Sequence, residues 1–595
     1  MKDQKDEDTL PYSGSQAALR RRSFAKTEFT LLHSDDNIGK SNEPINGRLA
    51  VGASLLDALY KHLEPMQFAA MPFSPEAKLH FAKDARARGA HGAYVPILGW
   101  GDLDGLQAGS VAFLPSPNID EMSVLRAQRC AGDFSVVGLT HTLSTQRIYK
   151  MLHNLLVAPL YEWDALICTS QSAKRAVHEI TKSHRAHYAE RGITVPELRV
   201  QTPVIPLGID CDRFVLTPAR QDAAQAWRKA HNIGPNDILL LHFGRIDPFT
   251  KSHPLPLLLA MEKAQQRLHP SDTTLHLVMA GRPPTPAIAD RLFKMVDAFQ
   301  PSFEIHWIDG IKQEETMTSW HAADIFISLS DNVQETFGLT PIEAMAAGLP
   351  CVVSDWSGYS ETIKHAQTGY LIPSTIAGHE TTLGIRYGNK YDFDPENYGD
   401  YVGALAQCVS VDIDLCADAI VALATDSHKR EAFGRAGSNH ARAHYDWGAV
   451  LPKYLKLFED LNQARHAAKA QGLASQPNRR CASPFSPDPI KVFQGFATSQ
   501  LDAQTSLAVA NDARLDIDFL LSEPLAAFVC SSLLSHDGLE ELVDFIGSRG
   551  AVQFCDIKQH FATEEMPEVT ASCLWLLKYG ILKRPDPHDA IRCAS

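Results

Sequence analysis

Short apolar runs of strand length alternate with longer amphipathic segments through most of the chain. In the first part, the candidate strands lie at residues 29–33, 135–140 and 165–169. Residues 49–62 and the segment from Gln171 onward have the pattern of helices. Strands separated by helices predict a mostly parallel sheet with helices on both faces. We therefore expect an α/β domain at residues 27–205.

The same alternation starts again after residue 205. The candidate strands lie at residues 238–243, 275–280, 305–307, 325–328 and 351–353. Each is followed by a loop and a helical segment, which predicts a second parallel α/β domain at residues 206–440. Residues 374–400 are a longer loop than such a sheet needs. A functional loop and a plain surface insertion are equally good interpretations of it.

The pattern changes again beyond residue 467. Residues 468–490 are rich in Ala, Ser, Pro and Arg, which predicts a linker. Three short helices are then predicted, at residues 539–548, 554–561 and 569–580, an order that is typical of a winged-helix module at 491–595. From residue 515 onward, thirteen acidic and six basic residues give a net charge of −7. This is the wrong sign for contacts with nucleic-acid phosphates. We interpret the module as one that docks a protein partner.

One strand–helix–strand unit in the second domain carries most of the chemistry. Its first strand lies at residues 324–330, and after a loop Thr340 is a candidate N-cap with Pro341 at the first helical position. Gly348 closes the helix, and residue 351 opens the next strand. The N-terminus of such a helix attracts anions.

Two carboxylates in this unit, Glu335 and Glu343, lie eight positions apart. Each has an ordinary interpretation, because Thr340 and Glu343 have the spacing of a capping box and an acid in a loop is most often solvated. The flanking sequence is FGLTPIEAMAAGLPCVVSD. Together with the two acids it resembles the donor-site signature of family 4 glycosyltransferases, of the group 1 type. The resemblance implies the GT-B fold, in which two Rossmann-like domains face a cleft, and transfer with retention of anomeric configuration.

The resemblance also implies roles for individual residues towards a nucleotide-diphosphate sugar. Glu335 would face the sugar hydroxyls as a catalytic residue, and Glu343 would hold the ribose hydroxyls. The backbone amides of Phe337, Gly338 and Leu339 would lie near the phosphates.

A basic loop follows the strand at residues 238–243. It contains Arg245, whose guanidinium is a planar donor to phosphate, and Lys251, which provides a point charge. Alone, such a pair would be interpreted as solvated surface. Its position before the glutamate pair resembles the diphosphate clamp of the family, with Ser252 where the family often has glycine.

The first domain contributes further candidates. His141 ends a predicted strand, where a lone histidine is more often structural, but the resemblance implies an active-site histidine beside the donor sugar. Residues 34–48 stand in place of the glycine-rich loop of the family, and Gly47 is the candidate there. Trp100 is open to two interpretations, stacking on an acceptor sugar and packing in the core. Residues 441–467 resemble the terminal helix of the family, which crosses back to the first domain.

Composition limits the remaining possibilities. The chain of 595 residues is 45% hydrophobic and 21% charged, with a net charge of −14, which argues against general attraction to nucleic acid or anionic lipid. Residues 1–26 are polar, lack the apolar core of a signal peptide and are expected to be a disordered tail. No apolar run has the length of a membrane span. The eleven scattered cysteines have no C-x-x-C pair. We expect a cytoplasmic protein with reduced thiols, with peripheral membrane contact left open.

No cofactor and no obligatory metal are expected, because amides, arginine and lysine can neutralise the diphosphate. The metal motif Asp-x-Asp of a different transferase fold occurs three times, starting at Asp102, Asp412 and Asp516. Three matches in unrelated contexts show that this pattern arises easily, so we discount it.

These features predict an enzyme that transfers a sugar from a nucleotide-diphosphate sugar to a hydroxyl acceptor, in polysaccharide or glycoconjugate synthesis. Two alternatives keep the fold. One is a phosphorylase or a nucleotide-sugar epimerase. The other is a regulatory protein that senses nucleotide-sugar and acts through its C-terminal module. The base, the sugar, the acceptor and the oligomeric state stay open.

Overall fold

Two parallel sheets lie within residues 1–484, which form one compact unit, and a small antiparallel sheet lies within residues 485–595, which form another. The structure is a computed structural model, and it describes residues 27–33, 47–64, 66–87, 95, 97–99, 102–127, 132–269, 272–310, 312–378, 382–391, 397–473, 488–511, 513–561 and 566–585. The division at 484 falls inside the predicted linker. The predicted tail at 1–26 lies outside the described residues, and the domain limits stay predictions.

The first sheet has five parallel strands in the order β2-β1-β3-β4-β5. Its strands are β1 (Phe29–His33), β2 (Phe68–Pro72), β3 (Val111–Leu114), β4 (Ser135–Leu139) and β5 (Ala165–Ile167). Every residue of these strands is buried, because helices cover both faces. The helices of this part are Gly47–His62, Pro75–Ala87, Leu103–Gly109, Asp120–Ala127, Gln146–Val157 and Gln171–Ala189.

The second sheet has six parallel strands in the order β11-β10-β9-β6-β7-β8. Its strands are β6 (Ile238–Phe243), β7 (Leu275–Gly281), β8 (Glu304–Asp309), β9 (Ile325–Ser328), β10 (Cys351–Ser354) and β11 (Gly369–Ile372). Its helices are Pro218–Ala230, Pro254–Leu268, Pro286–Phe299, Gln313–Ala322, Leu339–Ala346, Tyr359–Thr362, Tyr398–Ala406, Ile413–Thr425 and Ser427–His444. The prediction of two α/β domains with parallel sheets is confirmed.

The segment 374–400 is not the plain loop that the sequence predicts. Its first residues form β12 (Ser374–Ile376), which pairs antiparallel with β13 (Val409–Val411). A helix, Leu383–Tyr391, follows, and the segment ends inside the helix that starts at Tyr398. A β-branched run can pair with a strand that comes later in the chain, and no local pattern shows this.

A long helix, Trp447–Ala470, joins the two α/β domains. Its Phe458 ring lies 5.1 Å from the ring of Phe29 and 5.6 Å from that of Phe113, both in the first sheet. The Trp447 indole donates to the Ser54 hydroxyl at 2.7 Å. The chain therefore returns from the second domain to pack on the first, as the resemblance implies.

A buried ion pair organises the first domain. Arg126 and Asp164 have fully buried side chains and form two hydrogen bonds, of 2.6 and 2.7 Å. The Asp164 carboxylate also accepts from the backbone N–H groups of Val136 and Tyr161. Every oxygen of this carboxylate thus has a donor, which is the condition for burying such a charge.

The C-terminal unit has a three-stranded antiparallel sheet, in the order β15-β14-β16. Its strands are β14 (Ser506–Val509), β15 (Val552–Gln553) and β16 (Leu582–Lys583). Its helices are Pro489–Phe493, Ile517–Ser522, Pro524–Ala527, His536–Gly547, Phe554–His560 and Met566–Lys578. The last three are the helices that the sequence predicts. The central strand comes from before the helices, a feature that the sequence pattern did not predict.

The helices and the cysteines can be compared with two expectations from composition. Among the described residues, no helix combines the length and the apolar character that crossing a membrane requires. The eight cysteines in the described part of the chain are free thiols.

Candidate functional site

The helix Leu339–Ala346 begins earlier than the sequence predicts. Its N-cap is Gly338, with a left-handed backbone and no side-chain cap. The predicted N-cap Thr340 and the capping box with Glu343 are therefore wrong. The Thr340 hydroxyl hydrogen-bonds instead with the phenol of Tyr359. Glu343 is thus not engaged in capping and keeps its carboxylate for another partner.

Gly338 stands where no other residue fits. Its φ is 90°, and a Cβ there would lie 2.1 Å from Cε1 of Tyr359. The Tyr359 hydroxyl lies 3.1 Å from Oγ of Ser328, at the end of β9. The glycine thus lets the loop pack directly on the ring, which fixes where the helix and its N-terminal amides begin.

The other end of this helix is as predicted. Gly348 has a φ of 85°, and the N–H of Leu349 donates to the carbonyl of Ala344 at 2.9 Å. β10 starts two residues later, at Cys351. The predicted strand–helix–strand unit is confirmed.

Glu335 and Lys251 form an ion pair next to the N-terminus of this helix. Lys251 Nζ lies 3.1 Å from Oε2 of Glu335, whose side chain is 13% exposed. Burial alone would raise the pKa of Glu335. The charge and hydrogen bond of Lys251, the N–H of Phe337 and the charge of Arg245 outweigh burial and hold this pKa below its ordinary value. The structure therefore brings the two cations of one loop to a carboxylate and a backbone amide that lie 84 or more positions later in the sequence.

The loop that carries the two cations is held by Asp247, which is 6% exposed. Its carboxylate accepts from the N–H of Phe249 at 3.0 Å and from the hydroxyl of Thr250. Its carbonyl accepts from the N–H of Lys251 at 3.0 Å. Asp247 thus orders the cationic loop from inside the second domain.

The start of the same loop passes very close to the neighbouring strand. Gly244 has a φ of 141°, and a Cβ on Gly281 would lie 1.7 Å from the Gly244 carbonyl oxygen. Two glycines at the carboxyl ends of β6 and β7 therefore let the backbones touch. In parallel α/β sheets this edge is where ligands bind.

Glu343 has the opposite electrostatics to Glu335. Burial raises its pKa to about 7, and the charge of Arg213 opposes this only in part. Near neutral pH this carboxyl is therefore close to the midpoint of its titration. It becomes a stronger acceptor for hydroxyl groups as it ionises.

The segment that contains His141 reaches the second domain. His141 Nε2 lies 2.9 Å from the carbonyl oxygen of Pro115, and Ser144 Oγ lies 2.9 Å from the hydroxyl of Tyr398. Tyr398 in turn is close enough to Arg245 for that charge to act on its pKa, which burial raises. The structure thus links the His141 segment with the cationic loop through Tyr398.

Two sequence candidates lie at the edge of what the structure describes. Gly47 is the first residue of the helix Gly47–His62, while residues 34–46 of its loop lie outside the described residues. Trp100 lies outside them as well.

Three residues near the site were missed by sequence reasoning. Tyr398 comes from the segment 374–400, which the sequence left as either functional or an insertion. Ser170 donates from the first domain to the carbonyl of Thr336 at 2.7 Å. Asp331 is 5% exposed, burial raises its pKa to about 7, and its Oδ1 has no hydrogen-bond partner among the described residues. An acid three residues after the end of a strand is a signal that could have identified Asp331. Nothing local identifies Ser170.

The three Asp-x-Asp matches have a structural explanation. Asp102, Asp412 and Asp516 each accept a backbone N–H three residues ahead, at the start of a helix. Within the described ranges, the one His/Cys/Asp/Glu group that could hold a metal ion is His536, Asp537 and Glu540, all exposed and in the C-terminal unit. Whether the donor site needs a metal stays a prediction.

Part of the chain is similar to a family of known proteins. Residues 223–382, which span β6 to β12, match the family model described as Glycosyl transferases group 1. The chain is similar to D-inositol 3-phosphate glycosyltransferase 2 of Catenulispora acidiphila, with 26% identity over 271 residues, 44% of this chain and 53% of that protein. It is also similar to phosphatidyl-myo-inositol mannosyltransferase of Mycobacterium tuberculosis, with 24% identity over 374 residues, 63% of this chain and 78% of that protein.

The chain thus spans about half the length of the first of these relatives. Among solved structures, Anabaena Alr3699/HepE in complex with UDP is similar, with a TM-score of 0.45 and 16% identity over 74% of this chain and 100% of that chain. The relatives are named glycosyltransferases, and the segment that matches the group 1 model contains Arg245, Lys251, Glu335 and Glu343.

Proposed function

We propose that the chain is a retaining glycosyltransferase that moves a sugar from a nucleotide-diphosphate sugar to a hydroxyl acceptor. One observation carries the proposal: the pair of Lys251 and Glu335, with Arg245 beside it, at the N-terminus of the helix Leu339–Ala346. Two cations and helix amides suit a diphosphate, and an ionised carboxylate next to them suits the hydroxyls of the attached sugar.

In this proposal, catalysis depends on charge stabilisation. The bond between the anomeric carbon and the diphosphate oxygen breaks, and the diphosphate gains negative charge. Arg245, Lys251 and the amides at Gly338 and Leu339 stabilise that charge in a preorganised site. The acceptor oxygen bonds to the anomeric carbon on the face that the diphosphate leaves, and its proton passes to a phosphate oxygen. No side-chain base is required, and no obligatory metal is proposed.

Three side chains fix the position of the donor in this proposal. Glu335, held ionised by its neighbours, accepts from the sugar hydroxyls. Glu343, which ionises near pH 7, accepts from the ribose hydroxyls. We also assign His141 to the sugar side of the site, because it lies three residues before Ser144, which contacts Tyr398 of the second domain. Such positioning is a large part of what an enzyme contributes when no covalent step is needed.

The acceptor is proposed only as a hydroxyl compound. The relatives are named for D-inositol 3-phosphate and for phosphatidyl-myo-inositol. D-Inositol 3-phosphate, phosphatidylinositol and simple sugars therefore form the first acceptor panel.

The test is a thermal-shift panel of UDP, GDP, ADP, TDP and their common sugar conjugates on the full chain. The proposal predicts a rise in melting temperature with one base, because a ligand that binds only the folded state stabilises it. The rise should vanish in Arg245→Ala and Lys251→Ala. Lys263→Ala, which removes an exposed lysine paired with Asp414, is the matched control and should keep it. Equal shifts in all variants would contradict the site, and no shift with any ligand in the wild type would contradict donor binding.

A further inference from the structure

The first-domain helix Gln171–Ala189 contacts residues 335–338, here called the donor loop, through the residue that precedes the helix. The Ser170 hydroxyl donates to the carbonyl oxygen of Thr336 at 2.7 Å, and Ser170 is 1% exposed. Thr336 stands between Glu335 and Phe337. The contact therefore falls on the stretch of backbone that carries the proposed sugar-facing carboxylate.

A second contact from the same helix reaches the other side of this loop. The backbone N–H groups of Gln171 and Ser172 donate to the Glu361 carboxylate at 2.7 and 3.0 Å. A carboxylate at a helix N-terminus is favoured by the helix dipole and by these charged hydrogen bonds. Glu361 belongs to the short helix Tyr359–Thr362, whose first residue packs its ring against Gly338. The first domain thus contacts this loop directly at Thr336 and indirectly at Gly338, through the helix Tyr359–Thr362.

We infer that Ser170 and Glu361 are positioning residues, through which the first domain sets the orientation of Glu335 towards the donor sugar. This inference rests on the proposed function. Neither residue belongs to the proposed diphosphate clamp, whose loop is ordered within the second domain by Asp247. Loss of either contact should therefore impair the sugar-dependent step more than nucleotide binding, which Arg245 and Lys251 still support.

Ser170 has another role, which the test must separate. Its Oγ also accepts the N–H of Ala173 at 3.0 Å and so caps the helix. Loss of such a cap typically costs about 1 kcal/mol of stability. Thr285 caps the helix Pro286–Phe299 in the same way and provides the matched control, since Thr285→Ala removes a cap from a helix of the second domain.

The experiment compares the wild type with Ser170→Ala, Ser170→Thr, Glu361→Gln and Thr285→Ala. For each full-length protein, kcat is measured with the nucleotide-sugar that the wild type uses best. The inhibition constant of the matching free nucleoside diphosphate is measured beside it. We expect kcat to fall about tenfold in Ser170→Ala, the effect of losing one well-placed hydrogen bond, while the inhibition constant stays within about twofold. Ser170→Thr keeps the hydroxyl and should recover most of kcat.

The remaining variants decide between positioning and general stability. Glu361→Gln should also lower kcat, with a smaller effect on nucleotide affinity, and Thr285→Ala should change neither constant. Wild-type kcat in Ser170→Ala would overturn the inference. So would a parallel loss of nucleotide affinity and melting temperature in that variant, since this would show a structural role only. If the wild type itself binds and uses no nucleotide-sugar, the proposed function fails, irrespective of Ser170.

Discussion

The substitution Glu343→Gln should make the protein more stable at pH 8 while it weakens the proposed donor site. Burial raises the pKa of Glu343 to about 7, whereas in the unfolded chain this carboxyl titrates near its ordinary value of about 4.3. Between these two values the folded state holds a proton that the unfolded state has lost, so stability falls as the pH rises. Well below pH 4 the Glu343 carboxyl is protonated in both the folded and the unfolded state. The free-energy cost of burying its charge then disappears.

The size of the effect follows from the two pKa values. At about 1.4 kcal/mol per pKa unit, a shift of this size costs at most roughly 3 to 4 kcal/mol above pH 7. For a domain of this length, each kcal/mol corresponds to about 2 to 4 °C in Tm. We therefore expect Glu343→Gln to melt up to roughly 10 °C above the wild type at pH 8, and within about 2 °C of it at pH 4.5.

The assay is a thermal melt of both proteins from pH 4.5 to pH 8, in the same buffers and without ligand. Glu335→Gln is the control with the opposite sign, because neighbouring charges hold the pKa of Glu335 below its ordinary value. Its charge contributes stability above the unfolded pKa, so this variant should melt below the wild type at pH 8. The reasoning would be refuted if the difference in Tm between Glu343→Gln and the wild type did not change with pH. It would also be refuted if Glu343→Gln melted below the wild type at pH 8.

Three further outcomes follow from the same structure. Gly338→Ala should lower Tm and abolish nucleotide binding by calorimetry, because its φ of 90° and the ring of Tyr359 leave no place for a methyl group; wild-type binding would contradict this. Asp164→Ala should destabilise the first domain by about 3 to 5 kcal/mol in urea unfolding, since it leaves Arg126 buried without its partner, and a change below about 1 kcal/mol would be inconsistent with the buried pair. With UDP-glucose, GDP-mannose or whichever conjugate binds, affinity should rise from pH 6 to pH 8 as Glu343 ionises, and a flat profile in the wild type would argue against its contact with ribose.

The sequence predicted the strands whose apolar runs are rich in Val, Ile and Leu, such as Ile238–Phe243 and Ile325–Ser328. It missed β2, whose sequence Phe-Ala-Ala-Met-Pro has no β-branched residue, and the four-residue strands β3 and β11. These strands are stabilised by their parallel neighbours more than by local propensity. The sequence predicted Thr340 as the N-cap because its side chain can cap a helix. In the structure the N-cap is Gly338, because the loop packs there against the ring of Tyr359.

The same distinction applies to the site. Glu335, Glu343, Arg245 and Lys251 stand in segments that resemble a known signature, so the sequence could identify them as candidates. The Ser144–Tyr398 and Ser170–Thr336 hydrogen bonds join residues 254 and 166 positions apart. Contacts of that separation exist only once both domains have folded, and no local pattern shows them.

The central claim is that a nucleotide-diphosphate sugar binds at Lys251 and Glu335 and gives up its sugar with retention. The most direct measurement is the reaction of the full chain with the donor that stabilises it and the acceptor panel, followed by nucleoside diphosphate release and by proton NMR of the anomeric signal. The account predicts a product with the anomeric configuration of the donor, together with loss of turnover by about a hundredfold or more in Lys251→Ala, as for removal of a group that stabilises transition-state charge. An inverted product, or full turnover in Lys251→Ala, would contradict it.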